Sequence, residues 1–269
     1  MRPITQARSL HGGIHPLFLI KDPCMQRIPL QSHTKRRRPH AAFFAGKAQH
    51  GFTLVEIAIV LVIIGLLLGG VLKGQEMITQ ARIKNIINDF NGITAAVYAY
   101  QDRYRALAGD DMSAATRWVA NNAVSGNGDG QWASTRGYAT VLGGTPTVAD
   151  EANLFWWHLR LAGFIPGTTV AGAAAGAQPA NAVNGILGVQ TGAGASTLGF
   201  ASNIICSSNL PDKVASAIDT QMDDGAMQTG MVRSSGPQVA PNPALAALPG
   251  GATTYVENGT DQYTICKQL

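Results

Sequence analysis

From Phe52 to Leu72 the chain is apolar at nearly every position, with Glu56 as the one charge in twenty-one residues. A helix needs about 20 such residues to cross a bilayer, so the stretch predicts a membrane-spanning helix. Beyond Leu72 the pattern changes but the helix does not stop. Ile86, Phe90, Ile93, Val97, Tyr100 and Tyr104 are spaced alternately by four and three, which places them in one stripe on a helix. The reading is one long helix from near Phe52 to near Arg105, apolar all round in its first half and packed on a globular domain in its second. Gly109 offers a stop. With no proline in this helix, any bend falls at Gly69, Gly70 or Gly74. Gly65 with Gly69, and Gly70 with Gly74, permit close helix approach or simply reflect tolerance of small residues in a membrane.

Further along, EANLFWWHLRLAGFIPG (151–167) predicts a short helix capped by Asp150, with Leu154, Trp157 and Leu161 on one face and Gly163 at its end. Residues 166–200, rich in Gly, Ala and Thr without a period, predict an extended surface loop with short strand excursions. Strands are expected at Gly185–Gln190, Leu198–Cys206, Gly230–Arg233 and Tyr263–Cys266. Between the second and third, PDKVASAIDTQMDDG predicts a helix with Pro211 in its first turn, Gly225 at its end, and Val214, Ile218 and Met222 facing the sheet. The fold class is therefore α+β: a long N-terminal helix packed on a head built around a small antiparallel sheet.

A 46% hydrophobic and 13% charged composition excludes general disorder. The net charge of +4 is an average over two unlike parts. Residues 1–51 hold nine Lys/Arg against Asp22 alone, a net +8, and residues 52–269 carry −4. A basic block ahead of an apolar segment is the part the positive-inside rule keeps in the cytoplasm, with the remainder exported. The KRRR run at 35–38 would in another setting be a nuclear-localisation or phosphate-binding patch; here it has no folded context, and no specific nucleic-acid partner is expected. Since no small-x-small site follows Leu72, any cleavage must precede the apolar run. Glu56 is then the anomaly. An ionised carboxylate inside a membrane helix costs on the order of 3 kcal/mol, less near the interface, and calls for a cationic partner.

The residues G-F-T-L-V-E (51–56), followed by sixteen uncharged and mostly apolar positions, resemble the class III signal of type IV pilins and type II secretion pseudopilins. That resemblance implies a prepilin peptidase that cuts between Gly51 and Phe52 and N-methylates Phe52. It also implies a partner for Glu56, the methylated amine of Phe52 on a neighbouring subunit, so that the carboxylate rewards correct register. The organisation implied is a leader at 1–51 that is removed, a long helix at 52–105 with its membrane segment at 52–72, and a periplasmic or extracellular head at 106–269. The chain would sit once through the bacterial inner membrane, N-terminus cytoplasmic, before an assembly platform and its ATPase extract it into a filament. Many leaders in the family are far shorter; Met25 is an alternative start that would also remove Cys24. In the head, the series Y-x-A-L-x-G-D, G-N-G-D-G and W-x-H-L-x-L-A-G-x-I resembles pilin-like proteins known only for prepilin-type N-terminal cleavage and methylation. A proline usually stands where Ala108 is.

With the leader removed, Cys206 and Cys266 remain as an even pair. Pilins often carry a C-terminal disulfide, and in an oxidising compartment a bridge closing about sixty residues would contribute roughly 4 kcal/mol; two separate buried thiols are the alternative. GNGDG (126–130) is above all a turn sequence. Asn127 and Asp129 at alternate positions also resemble half of a calcium loop, to which Asp223, Asp224 or Asp261 would add oxygens, and major pseudopilins bind calcium in the head. No nucleophile has an evident base, and neither a phosphate loop nor metal-ligand spacing occurs, so no enzyme is expected. The function implied is a structural subunit of a type IV pilus or a type II secretion pseudopilus. Two other readings stand beside it: a minor tip, adhesin or DNA-uptake pilin that touches a ligand through the Gly/Ala-rich loop or through Trp132, Trp156 and Trp157, and an uncleaved signal-anchored periplasmic protein.

Overall fold

In the computed structural model, which describes residues 51–132, 137–192, 198–238, 240–242 and 254–269, a single helix dominates. The basic leader, with Cys24, Met25 and Lys35–Arg38, lies outside the described residues. The helix, α1, spans Leu54–Tyr104 without interruption, through Gly65, Gly69, Gly70 and Gly74. Its residues Ile83, Ile86, Phe90, Ile93, Ala96, Val97 and Tyr100 are buried, which is the stripe expected from the spacing, extended by Ile83 and Ala96. Tyr104 is only partly covered. The stop is not Gly109. Arg105 takes the left-handed conformation (φ 54°) and returns its N–H to the carbonyl of Gln101, and Gly109 (φ 90°) lies in a later turn.

The head holds a short helix α2 (Ala114–Arg117), the helices α3 (Glu151–Leu161) and α4 (Asp212–Met222), and four strands. These are β1 (Leu187–Gln190), β2 (Ile204–Pro211), β3 (Val232–Ser235) and β4 (Gln262–Gln268), in the spatial order β1-β2-β4-β3, every pair antiparallel. One face of the sheet meets α1, α3 and α4 in a core that includes Phe90, Phe155, Trp156, Leu210, Ile218 and Ile265. Through this core the C-terminal half of α1 is anchored to the head.

Several boundaries differ from the sequence reading, each for a local reason. The second strand does not begin at Leu198, because Leu198 (φ 55°) and Gly199 (φ 72°) turn the chain; it begins at Ile204 and continues to Pro211 beside β4, with an irregularity between Ser207 and Leu210. The third begins at Val232, after the turn at Gly230 (φ 74°). Pro211 is the N-cap of α4 rather than part of its first turn, and that helix ends at Met222, before Gly225. Asp150 stands at the N-cap of α3, but its carboxylate accepts hydrogen bonds from the N–H and hydroxyl of Thr147 instead of capping the helix. The Gly/Ala-rich segment is less of a surface loop than expected. Ala173–Gly176 forms a 3₁₀ turn with Ala175 and Gly176 buried, where a Cβ on Gly176 would fall 2.5 Å from Pro146.

Candidate functional site

The N-terminal site is built on where α1 starts. Gly51, Phe52 and Thr53 are not helical, and Phe52 is 83% exposed. Thr53 is extended (φ −76°, ψ 151°) and forms a capping box with Glu56. The Thr53 N–H donates to Glu56 Oε2 at 2.8 Å, its hydroxyl donates to the same oxygen at 2.9 Å, and the Glu56 N–H donates back to the Thr53 hydroxyl at 3.3 Å. Within one subunit the carboxylate is thus satisfied by its own helix start. Thr53 was not singled out from the sequence, although S/T-x-x-E ahead of an apolar run is the signature of this motif.

Beyond the box, the apolar surface has no partner among the described residues. Leu54, Leu61, Leu66 and Leu72 are each more than 60% exposed, and α1 is the one helix among the described residues long and apolar enough to cross a membrane. Water cannot be the medium for such a surface. The lower half is the opposite case, since its stripe is sealed by the head.

At the top of α1, Tyr100 donates its hydroxyl to Asp111 Oδ2 at 2.7 Å, and Arg117 forms an ion pair with the same carboxylate. Burial works to raise Asp111, but the hydrogen bonds from Arg117, Tyr100 and the Ser113 N–H outweigh it and hold the carboxyl below its usual range. The Arg117 guanidinium also lies over the Tyr104 ring at 4.3 Å. His158 stacks beside Tyr100 (centroids 6.4 Å apart, 12° between planes), its Nδ1 accepting from the Gly109 N–H at 2.9 Å and its Nε2 lying 2.8 Å from the Val124 carbonyl. Burial pushes its pKa down to about 4, so it is a neutral ring that ties two loops to α3. Trp132, Trp156 and Trp157 are fully buried, which removes them as ligand-touching aromatics and assigns them to the core.

The loop 126–130 closes around carboxylates. Asp110 accepts N–H bonds from Gly128, Asp129 and Gly130, and Glu151 accepts one from Asn127. Asn127 and Asp129 bond each other, the Asp129 N–H donating to Asn127 Oδ1 at 2.9 Å. Gly126 is needed here because a Cβ would meet the backbone of Asp110 at 2.4 Å. Oxygens of Asp110, Asp129 and Glu151 lie within 4.8 Å of one another, yet the loop turns amides rather than carbonyls towards two of them. These amide bonds account for the turn conformation, and each carboxylate keeps lone pairs beyond those they occupy. The further oxygens expected from Asp223 and Asp224 do not join it; they gather with Asp219. Asp261 accepts from the Asp212 N–H through its carbonyl and donates its own N–H to Asn258. Asp110 and Glu151 were missed from the sequence, although Asp110 closes the quoted Y-x-A-L-x-G-D series.

Cys206 and Cys266 are directly opposite on β2 and β4, joined by a disulfide with their Cα atoms 4.0 Å apart.

Residues 46–72 match the family model described as the prokaryotic N-terminal methylation motif. The chain carries that motif. It is the signature of type IV pilins and pseudopilins, and it covers the capping box and the exposed apolar half of α1. No curated protein and no solved structure matches the chain.

Proposed function

We propose that this chain is a prepilin-like structural subunit, cleaved between Gly51 and Phe52, N-methylated on Phe52, and polymerised through α1 into a type IV pilus or a type II secretion pseudopilus. One observation carries the reading: the methylation motif runs directly into a half-helix that is apolar all round and left uncovered among the described residues, while the other half is fixed to a folded head. The apolar half is held by lipid before assembly and by sister helices after it. The two environments are similarly apolar, so extraction needs external work, which an inner-membrane platform and its ATPase supply. Glu56, satisfied by Thr53 in the single subunit, exchanges that partner for the methylated amine of Phe52 on a neighbour; in a low dielectric this pair disfavours any register that leaves the carboxylate alone. The chain acts mechanically and catalyses nothing.

The test is intact mass and N-terminal sequencing of protein from the membrane fraction of its host, wild type against Gly51→Ala. A methylated Phe52 terminus in the wild type and an uncut variant are expected. An uncut wild-type chain in the membrane would overturn the reading in favour of a signal-anchored protein.

A further inference from the structure

Beside the buried stripe of α1 lies an open groove of 410 Å³ between that helix and the head, lined by Asp89, Gly92 and Ile93 on one side and by Phe164, Ile165 and Pro166 on the other. Its walls are mostly apolar, with Asn88 and two charges that do not answer each other. Arg160 is turned away, its guanidinium donating to the carbonyls of Ala175 and Ala177. Asp89 is half-buried and has no ion-pair partner among the described residues, and burial alone pushes its carboxyl upward. The groove therefore suits a helical segment that offers one cation and, a turn later on the same face, an apolar side chain.

Such a segment exists on the same helix. Just outside the apolar span, Met77 and Ile78 are 65% and 55% exposed, and Lys73 lies one turn before them. Lys73 is held only by an exposed pair with Glu76, which competes weakly. Lys73 and Met77, four apart, share one helical face, and so do Asp89 and Ile93. Sliding one parallel copy of α1 past another by sixteen positions, roughly 24 Å, sets Lys73 beside Asp89 and Met77 beside Ile93. We propose that the groove is an assembly contact that receives the stem segment Lys73–Ile78 of a second copy of this chain. It rests on the reading that the chain polymerises through α1, and adds to it a head-to-stem contact whose two faces differ, so the contact repeats as an open series.

The test is a double variant, Met77→Cys with Gly92→Cys, in the full chain expressed in its host. Both positions are exposed, and a Cβ at Gly92 meets nothing within 4 Å, so the head should fold normally. The two sites lie roughly 22 Å apart along one helix and cannot bridge within a chain. Mild oxidation should give a ladder of covalent multimers from the double variant and none beyond a dimer from either single variant. In parallel, Lys73→Glu or Asp89→Lys should each lower the assembled fraction by about tenfold or more, and the two together should restore it. Assembled material that forms normally without a ladder, with both charge variants assembling like wild type, would overturn the groove contact and leave polymerisation through α1 standing. A wild-type chain found only as single subunits would overturn both.

Discussion

The two halves of α1 both carry many apolar residues and have opposite fates. Between Ile83 and Tyr100 the stripe is narrow and its residues are covered by the head; between Leu54 and Leu72 there is no stripe, and nothing among the described residues covers it. What separates them is angular distribution as well as hydrophobicity: the polar positions of the second half leave one stripe, and the first half has almost none. A narrow stripe can be satisfied by one folded partner, whereas a helix apolar all round needs an environment that surrounds it. The second half thus reports on the chain's own fold and the first on its surroundings.

Truncation should separate the halves most sharply. Phe90→Ala removes a fully buried ring and should destabilise the head by about 3–5 kcal/mol. Leu61→Ala, at a site 64% exposed, should leave denaturant unfolding of the head unchanged in detergent and alter only membrane retention or assembly. Equal effects on the head would erase the distinction. Next in size, Cys206→Ser with Cys266→Ser opens a loop of sequence separation 60 and should cost about 2–5 kcal/mol, read as a lower urea midpoint for the head, again with no effect on the apolar half.

A pH series sharpens the same contrast. His158 has its pKa lowered by burial from 6.5 to about 4, so the folded head favours the neutral ring. Its contribution is complete above pH 6.5 and is lost as pH falls towards 4, by about 3 kcal/mol at about 1.4 kcal/mol per unit. Asp89 and Asp219, raised by burial, work in the opposite direction over part of that range, and Asp111 lies below it, so the informative quantity is the slope difference between wild type and His158→Gln. Identical slopes in urea titrations would show that the ring plays no such part. The smallest effect is expected at the other end: Thr53→Ala should speed amide exchange over the first turn of α1 and leave the melting of the head where it was.

The long helix was legible in the sequence because its signals are long and periodic; the 4-3 spacing of Ile86 to Tyr100 names the buried face almost residue by residue. The processing motif was legible for a similar reason, being contiguous from Gly51 to Glu56. The head was harder to read. Leu198 looks like the start of a strand because it leads into apolar residues, but its positive φ is imposed by tertiary context that no local pattern records. Asp110 and Glu151 were invisible as a pair because they are distant in sequence and meet only through the folded loop 126–130. Asp150 has the chemistry of a cap and spends it on Thr147, a choice between two local partners that composition does not decide.

The position of β4 in the sheet has a consequence for timing. Residues 262–268 lie between β2 and β3, so those two strands cannot be joined until this late stretch arrives. A chain that emerges N-terminus first must therefore wait, β2 and β3 each with an unpaired edge and Cys206 without its mate. Closure of the bridge at Cys266 then marks the moment when the sheet is complete, and oxidants that trap Cys206 earlier should stall folding of the head there.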